Sequence, residues 1–184
     1  ITLNATSEPM LLTGIALKAP TQRQSYEDYL ASIGDKPQPE GLKSLAPIEG
    51  EASVRRSSPS LYAKYDRSSP ATVPYDVAHT VLNYTGGDAW RDAGQWIEWD
   101  FTVDQAGWYN ITIKGRQTYS RGSVSSRIVY LDDQILFDGM ENVDFAYSSN
   151  WNMNTLSDAE GNAYRFYLTE GPHRIRMEAT LGDM

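Results

Sequence analysis

A stretch of alternating apolar and polar residues, residues 94–109, constrains the fold of this chain most strongly. It reads GQWIEWDFTVDQAGWY, and every second position in its centre is apolar: Ile97, Trp99, Phe101 and Val103. Successive side chains of a β-strand point to opposite faces, so these residues share one face, while the other face is mixed polar. Residues 104–107 (DQAG) read as a turn, and residues 108–116 (WYNITIKGR) as the returning strand. The stretch therefore predicts a β-hairpin with one buried face, which is typical of a β-sandwich.

Further strands with turn signals between them follow the same architecture. The predicted strands are residues 47–54, 77–82, 94–103, 107–116, 125–131, 134–137, 163–168 and 171–180. Asp132-Asp133 forms a tight turn between two of them, and Gly171-Pro172 lies in another turn. Many short strands with almost no helix predict an all-β sandwich or jelly roll. The remaining irregular stretches, residues 55–75 and 139–161, are long enough to be functional loops or to cover a core.

The composition changes before residue 46. Ser25, with Asp28 three residues later, predicts the cap of a short helix that continues to about Ile33. Residues 34–41 (GDKPQPEG) are predicted to be a linker because they are rich in Gly, Pro and charge. We therefore predict a short helix and linker over residues 21–45 and a β-sandwich module over residues 46–184.

Residues 1–20 stand apart from both of these parts. They contain two predicted strands, residues 1–6 and 11–17. Residues 1–10 (ITLNATSEPM) match residues 175–184 (IRMEATLGDM) at four positions, which favours tandem modules. The first 20 residues are then either the terminal strands of a preceding module or a strand that completes this one.

The charge and the cysteine content limit the function and the location. A formal charge of −8 argues against nucleic acid and against a polybasic membrane anchor. No apolar run approaches the ~18 residues of a spanning helix, so no direct membrane insertion is expected. Zero cysteines exclude disulfides and thiolate chemistry, which in a secreted protein is typical of a Gram-positive surface. The chain starts with Ile1, so we expect it to be a piece of a longer protein.

No catalytic motif is evident. His79 and His173 are the two histidines, and neither has Ser or Asp neighbours at the spacing of a triad. A P-loop, a G-x-G-x-x-G after a strand and an H-E-x-x-H are all lacking. We therefore predict no catalytic residues and no enzyme activity, with a glycosidase built on distant carboxylates as the enzyme alternative.

Four motifs occur in an order that resembles one class of sugar-binding domain. They are EGE at residues 49–51, GGDAW at 86–90, GQWIEW at 94–99 with GWY at 107–109, and LTEGPHRIRM at 168–177. The order resembles the calcium-dependent carbohydrate-binding modules with a galactose-binding-like jelly roll. The layout, with SYEDYL before the module, also resembles an inserted region of large extracellular solute-binding lipoproteins of carbohydrate ABC transporters in Firmicutes.

The resemblance implies a galactose-binding-like jelly-roll β-sandwich that binds an oligosaccharide or polysaccharide. It also implies an extracellular location, with anchoring to a Gram-positive cell surface through the rest of the chain. Neighbouring domains of the same chain would then be further partners.

Glu49 and Glu51 are the candidate metal ligands. On a strand, both side chains would point to one face, and two carboxylates so close repel unless a cation or donors lie between them. Hard oxygen ligands suit calcium, and in the resembling modules this motif supplies a structural calcium site. Those modules add an Asp on the closing strand; this chain has Asp183 beyond it and Thr13 in the comparable strand, which departs from the pattern. The alternative is that both glutamates are solvated surface charges.

Aromatic residues in predicted loops are the candidate sugar contacts. An aromatic face stacks on the C–H face of a pyranose, while nearby amides and guanidinium groups bond the hydroxyls. The candidate ligand-binding residues are Trp90, Arg116, Tyr119, Arg121, Asn150 and Trp151. The alternative is that the loops fold back and bury Trp90 and Trp151 as a lid. We predict a non-catalytic carbohydrate-binding module; the alternative is a structural spacer or docking domain of a large solute-binding lipoprotein, with no ligand of its own.

Overall fold

The chain folds as a β-sandwich with a short helix packed against it. The computed structural model describes residues 14, 17, 22–119 and 121–181. Among these residues, a helix with the length and apolar character of a bilayer span is absent. The helix α1 is Tyr26–Ile33, and the strands are β1 Arg55–Arg56, β2 Ala63–Lys64, β3 Tyr84–Thr85, β4 Trp96–Val103, β5 Gly107–Tyr109, β6 Thr112–Gly115, β7 Val124–Leu131, β8 Val143–Ala146, β9 Asn152–Thr155, β10 Phe166–Leu168 and β11 Gly171–Thr180.

The larger layer is a five-stranded antiparallel sheet in the order β1-β4-β11-β7-β8. The alternating stretch forms β4, which pairs with β11 from Val103↔Gly171 to Trp96↔Glu178. The predicted apolar face is confirmed, since Ile97 and Val103 are fully buried and Trp99 is 7% exposed. The predicted Asp132-Asp133 turn is also confirmed, with φ of +51° and +62° at its two residues.

The second layer consists of three short strand pairs, β10-β5, β2-β3 and β6-β9. The return strand predicted over residues 107–116 is interrupted between β5 and β6, where Leu156 N–H still donates to the Ile111 carbonyl (3.0 Å). Phe166 and Leu168 of β10 belong to one buried cluster with Ile97 and Val129 of the larger sheet. The two layers therefore enclose a common core, which confirms the predicted all-β sandwich.

Three predicted strands are wrong. Residues 47–54 instead contain a single 3-10 turn, Gly50–Ala52, in which Ala52 N–H donates back to the Glu49 carbonyl (3.0 Å). Residues 77–82 are an irregular loop that ends just before β3, and residues 134–137 contribute only the bridge Leu131↔Gln134. The two stretches predicted to be irregular contain β1, β2, β8 and β9. The strands predicted within residues 1–17 fall, apart from residues 14 and 17, outside the described residues.

The helix α1 is part of the core. The Ser25 hydroxyl accepts a hydrogen bond from Asp28 N–H (3.1 Å), which confirms the predicted cap. Tyr29 is 3% exposed, and its hydroxyl accepts a hydrogen bond from Tyr167 N–H (3.1 Å). The ring of Tyr26 lies 4.9 Å from the ring of Phe137, measured between centroids. The helix therefore belongs to the same folded body as the strands that follow it.

The outer face of the five-stranded sheet carries an ion network centred on Glu98. This residue is 2% exposed, although its side chain points away from the core. Arg55 Nε donates to its Oε2 (2.7 Å), and Arg176 Nε donates to its Oε1 (2.6 Å). Burial alone would raise the pKa of Glu98, but these two arginines hold it below its ordinary value. The face predicted to be mixed polar is thus covered by arginine side chains.

Candidate functional site

One end of the sandwich gathers the loops that carry the predicted sugar contacts. Gly115 pairs with Asn152, and Val124 pairs with Ala146, so the loops 116–123 and 147–151 leave the sheets side by side. The segment 86–91 precedes the start of β4 at this same end, because Trp96 pairs with Glu178 near the end of β11. Residues 65–69 join them through the contacts described next. We call residues 65–69, 86–91, 116–123 and 147–151 the rim.

At the centre of the rim, Trp151, Asp66 and Arg116 contact one another. Trp151 Nε1 donates to Asp66 Oδ2 (2.8 Å), and Arg116 Nη2 lies 3.1 Å from the same oxygen. The guanidinium of Arg116 is also 4.8 Å from the centroid of the Trp151 ring. Two of the predicted residues, Arg116 and Trp151, are therefore brought together by a carboxylate that is distant from both in sequence.

Asp66 is held in place from several directions. Asn83 is buried, and its amide accepts from Asp66 N–H (2.8 Å) and donates to the Asp66 carbonyl (2.9 Å). Burial alone would raise the pKa of Asp66, but hydrogen bonds from Ser68 and Trp151 and the charge of Arg116 lower it. The carboxyl group is therefore ionised at neutral pH, so it is unsuited to act as a general acid and acts as an anchor for the rim.

Tyr84 also contacts the Trp151 ring and helps to hold it in place. The two rings meet edge to face with 6.0 Å between centroids, and burial raises the pKa of Tyr84. Lys64, across the β2-β3 pair from Tyr84, donates to the Gly86 carbonyl (2.9 Å). Trp151 is thus half-buried and fixed by neighbours on several sides.

Three other predicted residues are more accessible. Tyr119 is 72% exposed, and its hydroxyl accepts a hydrogen bond from Arg91 Nη1 (3.4 Å). Arg121 is exposed with its guanidinium 5.5 Å from the centroid of the Tyr147 ring. Asn150 is exposed, and its backbone N–H donates to the Ser148 hydroxyl (3.1 Å). These side chains are placed where a ligand at the rim could reach them.

Trp90 lies at the same end but packs inward. Its Nε1 donates to the Gln95 carbonyl (2.9 Å), and its ring centroid is 6.5 Å from that of Trp99. The guanidinium of Arg127 lies 4.5 Å from the Trp90 ring, and burial lowers the pKa of this arginine to about 10. For Trp90 the structure therefore matches the alternative in which the loop folds back: the indole ring packs over the edge of the core.

Sequence reasoning missed Asp66, Asn83 and Tyr84. Asp66 and Trp151 are separated by 85 positions, so no local spacing connects them. The segment Asp66-Arg67-Ser68 does carry one signal, since Ser68 N–H donates to Asp66 Oδ1 (2.8 Å) in an Asx turn. That signal predicts a turn at Asp66 but not its partner.

Glu49 directly precedes the 3-10 turn Gly50–Ala52 and Glu51 lies within it, so the two glutamates are not on a strand as predicted. Burial raises the pKa of Glu51; a backbone hydrogen bond opposes this shift, and the charge of Glu49 adds to it. Glu51 Oε2 is buried without a hydrogen-bond partner. In the described residues, no group of three or more His, Asp or Glu side chains gathers where it could hold a metal ion. An orphaned carboxylate oxygen beside a second carboxylate fits a cation whose remaining ligands are backbone or water oxygens.

Comparison with known proteins finds similar solved structures but no similar sequence. No family model matches the sequence, and no curated protein matches it. A family 35 carbohydrate-binding module from Clostridium thermocellum superposes with a TM-score of 0.48 at 16% identity, over 74% of this chain and 86% of that one. The cycloisomaltooligosaccharide glucanotransferase of a Paenibacillus species, complexed with cycloisomaltoheptaose, gives 0.48 at 18% identity, over 71% of this chain and 15% of that one.

A third neighbour is the Podospora anserina GH26-CBM35 β-(1,4)-mannanase. Its TM-score is 0.49 at 14% identity, over 73% of this chain and 24% of that one. This chain therefore spans less than a quarter of each of these two enzymes. Scores below 0.5 at such identities do not establish a family, so the functional conclusion depends on the residues of this chain.

Proposed function

We propose that this protein is a non-catalytic carbohydrate-binding module whose ligand lies on the rim. The observation that carries the proposal is the contact of Trp151, Asp66 and Arg116 where the loops of the rim meet, together with the exposed ring of Tyr119 on the same rim. A ring held by its neighbours needs little ordering when a sugar stacks on it, and a guanidinium donates to hydroxyls. Each hydroxyl contact replaces one with water, so affinity on the order of 10 μM to 1 mM is expected for one site.

Replacing Tyr119 by alanine tests the rim. We expect it to weaken binding of the bound glycan about tenfold, which is about 1.4 kcal/mol, because an exposed stacking ring is removed. The unfolding midpoint should not change, since the side chain is 72% exposed. Isothermal titration calorimetry with a panel of neutral plant and microbial oligosaccharides gives the affinities.

Val54→Ala is the control for that experiment, because Val54 is 50% exposed and lies outside the rim. It should leave both affinity and stability unchanged. Equal binding by the wild type and Tyr119→Ala would rule out the rim as the binding surface. A folded protein that binds no glycan of the panel would instead favour the alternative of a structural spacer or docking domain.

We also propose that Glu49 and Glu51 hold a structural calcium ion. At tenfold excess over its dissociation constant, calcium would stabilise the native state by about 1.4 kcal/mol, or about 3–6 °C in the unfolding midpoint. Glu51→Gln should abolish this increase. In calcium-free buffer the same substitution should change the midpoint by less than this increase, because Gln keeps the size of a side chain whose Oε2 has no hydrogen-bond partner. Differential scanning calorimetry with calcium and with EDTA would contradict the site if the midpoints are equal.

The proposed setting is extracellular, on a Gram-positive surface, as part of a solute-binding lipoprotein of a carbohydrate transporter or of a glycan-processing protein. The support is the motif order around residues 49–51 and 94–109 and a sequence with zero cysteines. Protease accessibility of the protein on intact cells tests this location.

A further inference from the structure

The outer edge of β5 is covered by a side-chain amide in the place of a neighbouring strand. In the part of the chain that the structure describes, β5 pairs with β10 alone. On its other side, Gln38 Oε1 accepts from Trp108 N–H (2.9 Å), and Gln38 Nε2 donates to the Trp108 carbonyl (3.3 Å). A residue of an antiparallel strand would make the same two bonds through its own backbone. The Gln38 amide therefore satisfies the backbone groups with which a further strand would pair.

The residues on both sides of Gln38 hold it against this edge. We call residues 36–42 the strap. The Lys36 carbonyl accepts a hydrogen bond from Trp108 Nε1 (3.0 Å). A Cβ added to Gly107 would lie 2.8 Å from Leu42 Cδ2, so the leucine packs directly on the backbone of β5. Although most of the strap lies in the segment predicted to be a linker, hydrogen bonds and packing keep it on the strand.

The helix α1 covers the opposite edge of the same pair of strands. The Tyr29 hydroxyl accepts from Tyr167 N–H (3.1 Å) on β10. The Tyr26 hydroxyl accepts from Arg165 N–H (2.8 Å), just before β10 begins. One continuous stretch of chain, residues 26–42, thus closes both edges with side chains, which is one of the ways in which proteins keep sheet edges from pairing.

The segment of chain beneath the strap has the composition of a self-pairing strand. Residues 105–113 read QAGWYNITI, which has no charged residue and no proline and is rich in aromatic and β-branched residues. Uncharged segments with high β-propensity pair readily with identical segments of other chains. The formal charge of −8 keeps copies of the chain apart elsewhere, but two copies of this segment bring no like charges together. An uncovered edge here would therefore suit a second copy of the chain.

We propose that the outer edge of β5 is a self-association site that the strap keeps closed. When the strap leaves, Trp108 N–H of one copy donates to the Trp108 carbonyl of a second copy, and the reverse bond forms around a two-fold axis. This antiparallel pairing is self-complementary, so the second copy supplies one acceptor and one donor in place of the Gln38 amide. The proposal goes beyond glycan binding, because neither Gln38 nor Trp108 belongs to the rim.

Combining Gln38→Ala with Leu42→Ala tests the proposal by removing the amide and the packing that hold the strap. Gln38 is exposed, and Leu42 lies outside the buried cluster, so the double variant should keep its fold. Hydrogen exchange of the 15N-labelled chain, followed by NMR, reports on the backbone amide of Trp108. In dilute solution, we expect this amide to exchange at least about tenfold faster than in the wild type.

The same measurement over a series of protein concentrations detects the second copy. Exchange of the Trp108 amide in the double variant should slow again as the concentration rises, because the carbonyl of the second copy then accepts its hydrogen bond. Sedimentation velocity should show a monomer that becomes a dimer over the same series. The wild type should stay monomeric, and its Trp108 exchange should not depend on concentration.

Gln105→Ala combined with Leu82→Ala is the matched control. It changes the same residue types at exposed positions outside the strap, and Gln105 lies in the turn just before β5. This variant should remain monomeric and keep the slow exchange of Trp108. If the double variant of the strap does not fold, Gln38→Ala alone provides the test, since it removes only an exposed side chain.

Three results would each overturn the proposal. Unchanged exchange of the Trp108 amide in Gln38→Ala would show that the side-chain amide does not guard the edge. Fast exchange at every concentration in a variant that stays monomeric would show that the open edge does not attract a second copy. A dimer in which the Trp108 amide still exchanges fast would mean that the copies meet through another surface.

Discussion

Replacing Tyr29 by alanine is expected to lower the free energy of unfolding by about 3–5 kcal/mol, the range for losing a buried aromatic ring. Tyr29 is 3% exposed, and its ring lies 5.3 Å from that of Phe137. The substitution leaves a cavity between α1 and the sheet and removes the acceptor of Tyr167 N–H. Urea denaturation followed by tryptophan fluorescence measures the loss.

Two variants separate the ring from the rest of the helix. Tyr29→Phe keeps the ring and loses only the hydrogen bond, so about 1 kcal/mol is expected. Glu27→Ala, on the exposed face of α1, should stay within about 0.5 kcal/mol of the wild type.

A chain that starts at residue 46 lacks α1 and with it the buried ring of Tyr29, so it should lose the cooperative unfolding transition. Full stability of that truncated chain would show that the helix is dispensable.

Glu98→Ala is expected to cost about 2–4 kcal/mol, because it removes the shared partner of Arg55 and Arg176 on the outer face of the sheet. The arginines are partly exposed and regain water, which keeps the loss below that of a fully buried pair. Asp100→Ala removes a half-exposed carboxylate of the same network and should cost less than about 1 kcal/mol. Equal losses in the two variants would contradict a central role for Glu98.

The same carboxylate predicts how stability depends on pH. Its pKa is lower in the folded state than in the unfolded chain, despite the opposing effect of burial. Its contribution is therefore complete above the unfolded pKa of about 4.3 and is lost as the pH falls through the folded value. Glu98→Ala should remove that part of the acid sensitivity, so the difference in unfolding free energy from the wild type should shrink below about pH 4.

The sequence predicts the centre of the fold better than its edges. β4 and β11 have long alternating patterns with buried faces, and the structure has both at the predicted place. The strands β1, β2 and β3 have two residues each, which is too short for a period-two pattern to stand out. Residues 47–54 alternate too, but Gly50 and the backbone bond from Ala52 to Glu49 turn them into a 3-10 helix.

The candidate site was only partly predictable. Residue type makes Trp151 and Tyr119 candidate sugar contacts, because indole and phenol rings can stack on the C–H face of a pyranose. Their partners depend on which loops meet, and that is set by the pairing of β6 with β9 and of β7 with β8. Trp90 has the same residue type and a similar loop position, yet its ring covers Trp99. Composition cannot distinguish these two outcomes, since the difference lies in tertiary packing.

The pairing of β4 with β11 has a consequence for synthesis on the ribosome. The two strands meet in register from Val103↔Gly171 to Trp96↔Glu178, so the central strand waits for the last described strand to be translated. Until then one long edge of β4 is unpaired, and its apolar face is only partly shielded from water. Contacts of such sequence separation form slowly, and an unpaired strand edge is prone to aggregation, so we expect this interval to be the time of greatest aggregation risk for the nascent polypeptide.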